Sequence, residues 1–335
     1  MIRNNVFVLS ILMMALSACT GKKNQGGECC GLETAKHNKP ELETAVTDVI
    51  KECLAENDWN NATVYVVETM TGKIKANVSL MRKDAGVEPY TDTYNQERSQ
   101  MLGAPAYLAL LVTEKVTPES VFDTEGGIYG QIKDHNWRKG GYGEINLERA
   151  LGVRSQVAFA KAGEQAYGTD STAFVEKVKC YLGDEPDRAE GILTFYNAVA
   201  NGGRMLKLVT EGEDNIILCE QIAPRKHIEA LQRGLERSVL DGVFKTAERD
   251  NVKVAACGRT FVKEGDTRRM ELCGYFPADN PKFTIMVIIE KEGLPAAANH
   301  MCGPVMARII DILSHSGQTQ AGIKNGISNI KNKGK

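Results

Sequence analysis

Apolar residues at Leu42, Ala45, Val46, Val49, Ile50, Cys53 and Leu54 recur every three or four positions, which predicts a helix over residues 41–54 with one buried face. Thr63-Val64-Tyr65-Val66-Val67-Glu68 and Ile74-Lys75-Ala76-Asn77-Val78-Ser79, rich in β-branched residues, flank Thr71-Gly72-Lys73 and predict a β-hairpin. Residues 82–96 are polar, hold Pro89 and show no period, so they read as a loop. Polar residues from Glu97 then give way to an apolar run up to Leu111, the pattern of a helix entering a core. Residues 125–143 are Gly-rich and loop-like. Asn146 is placed to cap a helix that begins there, a break near Arg154 precedes a helix over residues 157–168, and another over 191–200 is closed by Asn201-Gly202-Gly203. Residues 227–239 are amphipathic. Three β-rich runs follow, 251–262, 269–276 and 283–290, joined by short polar turns. Residues 300–314 form a last apolar helix, and residues 317–335, basic and rich in Gly, Asn and Lys, read as a disordered tail.

The order is helix, hairpin, helical block, three strands, helix. It predicts an α/β (α+β) fold: the early hairpin and late strands join into one antiparallel sheet flanked by the first and last helices, and the helical block forms a second lobe. A cleft between lobes is a common ligand site. Centring the last hairpin but one at Gly265 pairs residues whose numbers sum to about 530, which sets Cys257 opposite Cys273. The register predicts proximity; free buried thiols and a disulfide both remain open.

The leading residues change the picture of where the chain resides. Arg3, the short apolar run of residues 6–16 and Leu16-Ser17-Ala18-Cys19 form a lipoprotein signal with a lipobox, so Cys19 is the expected lipidation site and membrane attachment is through that lipid. Cleavage after Ala18 as an ordinary secretory peptide is the alternative. Residues 20–40 read as a flexible tether and residues 41–316 as the folded domain. The other eight cysteines are compatible with disulfides in an exported protein, but their spacing matches no metal site, and Cys29-Cys30 with His37 is too sparse for zinc. No cofactor is implied. A net charge of −2 gives no electrostatic basis for binding nucleic acid.

From about Ala62 to Leu313 the sequence resembles the transpeptidase domain of penicillin-binding proteins. The hairpin Val64 to Ala76 is similar to that family's first hairpin, and residues 116–124 to the segment after its nucleophile helix. Phe195-Tyr196-Asn197-Ala198-Val199-Ala200-Asn201-Gly202-Gly203 resembles a family landmark, Gly274-Tyr275-Phe276-Pro277 its late-strand turn, and Cys302-Gly303-Pro304 the start of its last helix. Five such pieces occur in the family's order. The resemblance implies a penicillin-binding-protein/β-lactamase-like fold and catalysis from Ser-x-x-Lys, Ser-x-Asn and Lys-Thr-Gly motifs.

This chain departs from all three. An ungapped count back from Val116-Thr117-Pro118 puts Gln100 at the nucleophile and Gly103 at the lysine. A one-residue shift restores Ser99 but sets Leu102 where the base belongs. Ser99 otherwise reads as a helix cap. The second motif falls at Arg154-Ser155-Gln156, where Arg154 cannot accept a proton and Gln156 keeps the amide on a longer stem. The third falls at Arg259-Thr260-Phe261: Arg259 keeps a cation for a carboxylate, Thr260 keeps the hydroxyl, and Phe261 replaces a glycine and is placed to plug the cleft. Ser328 to Lys331 is the one Ser-x-x-Lys in the chain, and it lies in the tail.

These departures imply a non-catalytic, lipid-anchored cell-envelope homologue of the transpeptidases. Its expected partners are peptidoglycan stem peptide or a cell-wall protein. The alternative is an active serine D,D-transpeptidase or carboxypeptidase with a displaced base.

Overall fold

The computed structural model describes residues 40–84, 86–90, 101–183 and 189–331. The leader, Cys19, the tether with Cys29 and Cys30, and both nucleophile candidates, Ser99 and Gln100, lie outside the described residues.

Helix α1 (Pro40–Glu56) is followed by strands β1 (Asn61–Glu68), β2 (Ile74–Lys83) and β3 (Gly86–Pro89). The helical lobe opens with α2 (Gly103–Leu111). Short strands β4 (Val121–Asp123), β5 (Ile128–Tyr129), β6 (Ile132–Lys133) and β7 (Glu144–Asn146) then lead into α3 (Leu147–Val153), α4 (Gln156–Tyr167), α5 (Ser171–Leu182) and α6 (Ala189–Ala200). Strands β8 (Met205–Leu206) and β9 (Ile217–Cys219) and helix α7 (Arg225–Leu240) precede β10 (Ala255–Glu264), β11 (Thr267–Phe276) and β12 (Phe283–Glu292), and α8 (Ala298–Lys331) ends the described chain.

One six-stranded sheet, ordered β10-β11-β12-β1-β2-β3 and antiparallel throughout, joins the first hairpin to the last three strands. Its centre is β1, buried from Ala62 to Val67, the pattern of a strand covered on both faces. Helices α1 and α8 pack on the sheet and on each other, as expected from the sequence, and α6 and α7 also pack on it. Helix α6 is buried from Ile192 to Ala200, as an all-round apolar helix must be. It is tied to the sheet through Asn197, whose amide donates to the Thr69 carbonyl at 3.2 Å and accepts from the Thr284 hydroxyl at 2.9 Å.

Several elements differ from the sequence reading. The expected loop 82–96 contains β3, an edge strand with mostly exposed side chains, so burial left no periodic mark on it. Helix α5 sits in a stretch for which no element was expected. Helix α2 begins at Gly103, and its N-cap position is Leu102, which makes no side-chain capping bond; Ser99, the expected cap, lies outside the described residues. The last helix, expected to end at Ser314, continues to Lys331. Ile323, Ile327 and Ile330 keep a helical spacing there, and Gly322 and Gly326 each cost only about 1 kcal/mol in a helix, far less than a proline. The expected strand register is observed, with Cys257 opposite Cys273 and a shift only past Val262. Both are free buried thiols.

Candidate functional site

A cavity of about 180 Å³ opens between the sheet edge and the helical lobe, and all three degenerate motif segments line it. Gly103 and Leu102 come from the mouth of α2, Arg154-Ser155-Gln156 from the α3–α4 junction, and Gly258 and Arg259 from the edge strand β10. The remaining wall is largely apolar, including Ile132, Leu151, Phe159, Phe174 and Val178.

Each segment has a local reason for its position. Asn146 caps α3 by accepting from the Arg149 N–H at 2.8 Å, as the sequence predicts. That helix stops because Arg154 adopts a left-handed conformation, with φ 58°, which is uncommon outside glycine. The Arg154 guanidinium rests 6.0 Å from the Phe244 ring centroid. Phe244 in turn closes on Gly258, where a Cβ would meet its ring at 3.0 Å and the Glu271 carbonyl at 2.3 Å. Glycine at 258 therefore lets strand, ring and guanidinium stack.

Ser155 is fully buried and its hydroxyl is committed. It donates to Asp134 Oδ2 at 2.7 Å and accepts from the Ala158 N–H at 3.1 Å, while Asp134 Oδ1 accepts from the Val157 N–H at 3.1 Å. Asp134 thus holds the start of α4 from a neighbouring loop. Sequence reasoning missed it, because a carboxylate 21 positions upstream in a Gly-rich loop carries no local signal. Gln156, the next residue, is exposed at the cavity wall.

On β10, Arg259 lies directly across from Glu271, which is itself bound by Arg269 at 2.8 Å. Burial, reinforced by the positive charge of Arg154 and offset by Glu271, pushes the Arg259 guanidinium down to about 10; it remains charged at neutral pH. Thr260, one position on, faces the other side of the strand and accepts from the Ala298 N–H at 2.8 Å, capping α8. Phe261 is half-buried and is not part of the cavity wall, so its ring does not plug the cavity.

The described wall offers charge and apolar surface. Among the described residues lining the cavity there is no lysine, histidine or carboxylate. Tyr196 and Cys257 also line it, but burial pushes the tyrosine well up and raises the thiol, against the opposing pull of the Arg154 charge, the Gly258 N–H and the Tyr196 hydroxyl on Cys257. Lys161, one turn into α4, donates to the Asp123 carbonyl at 2.8 Å and pairs with Glu125, away from the cavity wall. No group of three or more His, Cys, Asp or Glu among the described residues is placed to hold a metal.

The backbone superimposes on the transpeptidase domain of the FtsI4 D,D-transpeptidase from Legionella pneumophila with a TM-score of 0.59 at 15% identity, covering 83% of this chain and 98% of that one. The transpeptidase domain of penicillin-binding protein 3 from Burkholderia pseudomallei matches with a TM-score of 0.60 at 13% identity, over 82% and 94% of the two chains. The chain has the penicillin-binding-protein transpeptidase fold. A peptidoglycan synthetase from Bifidobacterium adolescentis matches with a TM-score of 0.65 at 15% identity, over 83% of this chain and 60% of that one. No known family profile and no curated protein sequence matches the chain. On this fold the three motif segments meet at one cavity, as the resemblance implied. Among the described residues, no helix is long and apolar enough to cross a membrane.

Proposed function

We propose that this is a cell-envelope protein that uses the transpeptidase fold to bind rather than to transfer acyl groups. Its ligand is a peptidoglycan stem peptide or a cell-wall protein, its expected membrane attachment is the lipid on Cys19, and Arg259 takes a ligand carboxylate in the cavity. The observation that carries this reading is the mouth of α2. In either register the residue due to activate the nucleophile, Leu102 or Gly103, lines the cavity and has no amine. A serine hydroxyl needs a base within about 2.6–3.2 Å to become a nucleophile at neutral pH. Further support comes from Arg154, which stands where the family's proton-shuttling serine would be, and from Ser155, whose hydroxyl is already committed to Asp134.

Incubation with penicillin followed by intact-mass spectrometry tests the proposal. The expected spectrum shows the unmodified protein after overnight exposure. A stoichiometric mass gain equal to the drug, lost in Ser99→Ala, would establish the alternative of an active serine enzyme with a displaced base.

A further inference from the structure

The chemistry of the cavity is narrower than the fold requires. Gln156 supplies the only side-chain amide among its described lining residues, and the Ser155 hydroxyl is spent on Asp134 and Ala158. Two guanidiniums line the same space, Arg154 and, beside Glu271, Arg259, facing a wall made mostly of aliphatic and aromatic side chains. Arg154 is the sharper clue. It is held in a left-handed conformation against Phe244, half-buried, and makes no ion pair among the described residues. A guanidinium half out of water gains from an anion.

The apolar surface comes from three helices and a loop strand. Phe159 of α4 and Phe174 and Val178 of α5 face the same space as Ile132 of β6 and Leu151 of α3. Glycine at 103 leaves the α2 side open, since a Cβ there would touch nothing within 4 Å among the described residues. Glycine there leaves room beside the cations of the cavity wall.

We propose that the cavity binds small amphiphilic carboxylates, with the carboxylate at Arg154 and Arg259 and an apolar body of about six to eight carbons against Phe159, Phe174 and Val178, on the scale of the ~150 Å³ apolar cavities that accept benzene. This rests on the reading of the cleft as a binding site and narrows its ligand from a polar peptide to an acid with an apolar tail. The guanidiniums fix orientation, and the tail supplies affinity.

The experiment is isothermal titration calorimetry of the purified protein with acetate, butyrate, hexanoate, octanoate and 3-phenylpropanoate, with octanol as the neutral control and a D-Ala-D-Ala peptide in parallel. Affinity should rise by up to ~4-fold per methylene until the cavity is filled, and octanol should bind at least ~10-fold more weakly than octanoate. Arg154→Asn, which tolerates the left-handed backbone, should lose at least ~10-fold for octanoate with an unchanged circular dichroism spectrum. Arg259→Gln should show a loss of the same kind. A flat response to chain length, equal binding of octanol, or undiminished binding by Arg154→Asn overturns the proposal. Peptide binding without chain-length dependence overturns it too, while leaving the stem-peptide reading standing. Octanoate binding without peptide binding upholds it and removes the peptide from the proposed function.

Discussion

Replacing Ser155 with alanine separates a structural serine from a catalytic one. The hydroxyl caps α4 by accepting from the Ala158 N–H at 3.1 Å and donates to the buried Asp134 carboxylate at 2.7 Å. Loss of a serine cap costs about 0.5–2 kcal/mol. Leaving a buried carboxylate oxygen one donor short adds about 1–3 kcal/mol. Allowing for overlap between these effects, Ser155→Ala should destabilise the protein by about 2–4 kcal/mol. Asp134→Ala strands two donors, the Ser155 hydroxyl and the Val157 N–H, and should cost about 2–5 kcal/mol. The two share one bond, so the double variant should cost less than the sum, with a coupling of about 1–3 kcal/mol. Urea unfolding followed by circular dichroism reads each value from a midpoint shift at constant slope. If Ser155→Ala unfolds within about 0.5 kcal/mol of the parent, or if the cycle is additive, the hydroxyl is not committed to Asp134. Ser155 would then be available to a substrate, and the binding-only reading of the cleft would lose one of its supports.

Arg259→Ala should weaken D-Ala-D-Ala peptide binding by roughly 1–3 kcal/mol by calorimetry, whereas Phe261→Leu, outside the cavity wall, should leave it unchanged; equal affinities for Arg259→Ala and the parent would deny Arg259 a ligand role. Burial alone would raise the Glu290 carboxyl, but Arg269, Asn61 and Lys263 outweigh it and hold it below its ordinary value. Its stabilising contribution is therefore present above the unfolded carboxylate value and lost as the pH falls through the depressed folded one. Urea midpoints should fall below about pH 4.5, and Glu290→Gln should be less stable at pH 7 yet lose less on acidification; a parallel acid limb in both proteins would refute this. Peptide-resolved maleimide labelling of the native protein should modify exposed Cys180 quickly and spare Cys273 and Cys302, whose thiols burial pushes well up; modification of Cys273 at the rate of Cys180 would mean that the sheet core opens.

The strand pairing was legible because β10 and β11 carry their own turn. Gly265 has φ 55°, and the residues on either side pair with numbers summing to 530 from Ala255 through Val262. Buried faces then leave a one-residue slip no room, since it would turn every side chain over. Strand β3 and helix α5 were not legible for opposite reasons. The strand is an exposed edge with nothing to bury. The helix begins from an Asp170 cap, whose side chain accepts from the Ala173 N–H at 2.9 Å, and packs Phe174, Val178, Tyr181 and Leu182 inward. That spacing is present in the sequence, yet Glu176, Lys177 and Lys179 between those residues dilute it.

The cavity shows the limit of motif reading more sharply. Aligning three short motifs brought Gly103, Arg154 and Arg259 to one place, because on this fold their elements converge. In the third motif a strand alternates faces, so Arg259 lines the cavity as expected while Thr260 caps α8 from behind. The alignment also took no account of Phe159, Phe174 and Val178, which come from helices remote from any motif and set the polarity of the space. Leu102 and Gly103, the two positions at which the resemblance implies a lysine, therefore bear on more than the missing base. A charged amine beside two arginines would have kept the cavity wet and polar, whereas glycine at that position and leucine before it hand the same volume to apolar contacts. Gly103 and Arg154 then act together in the proposed reading, one leaving space at the cavity wall and the other setting a cation at its edge.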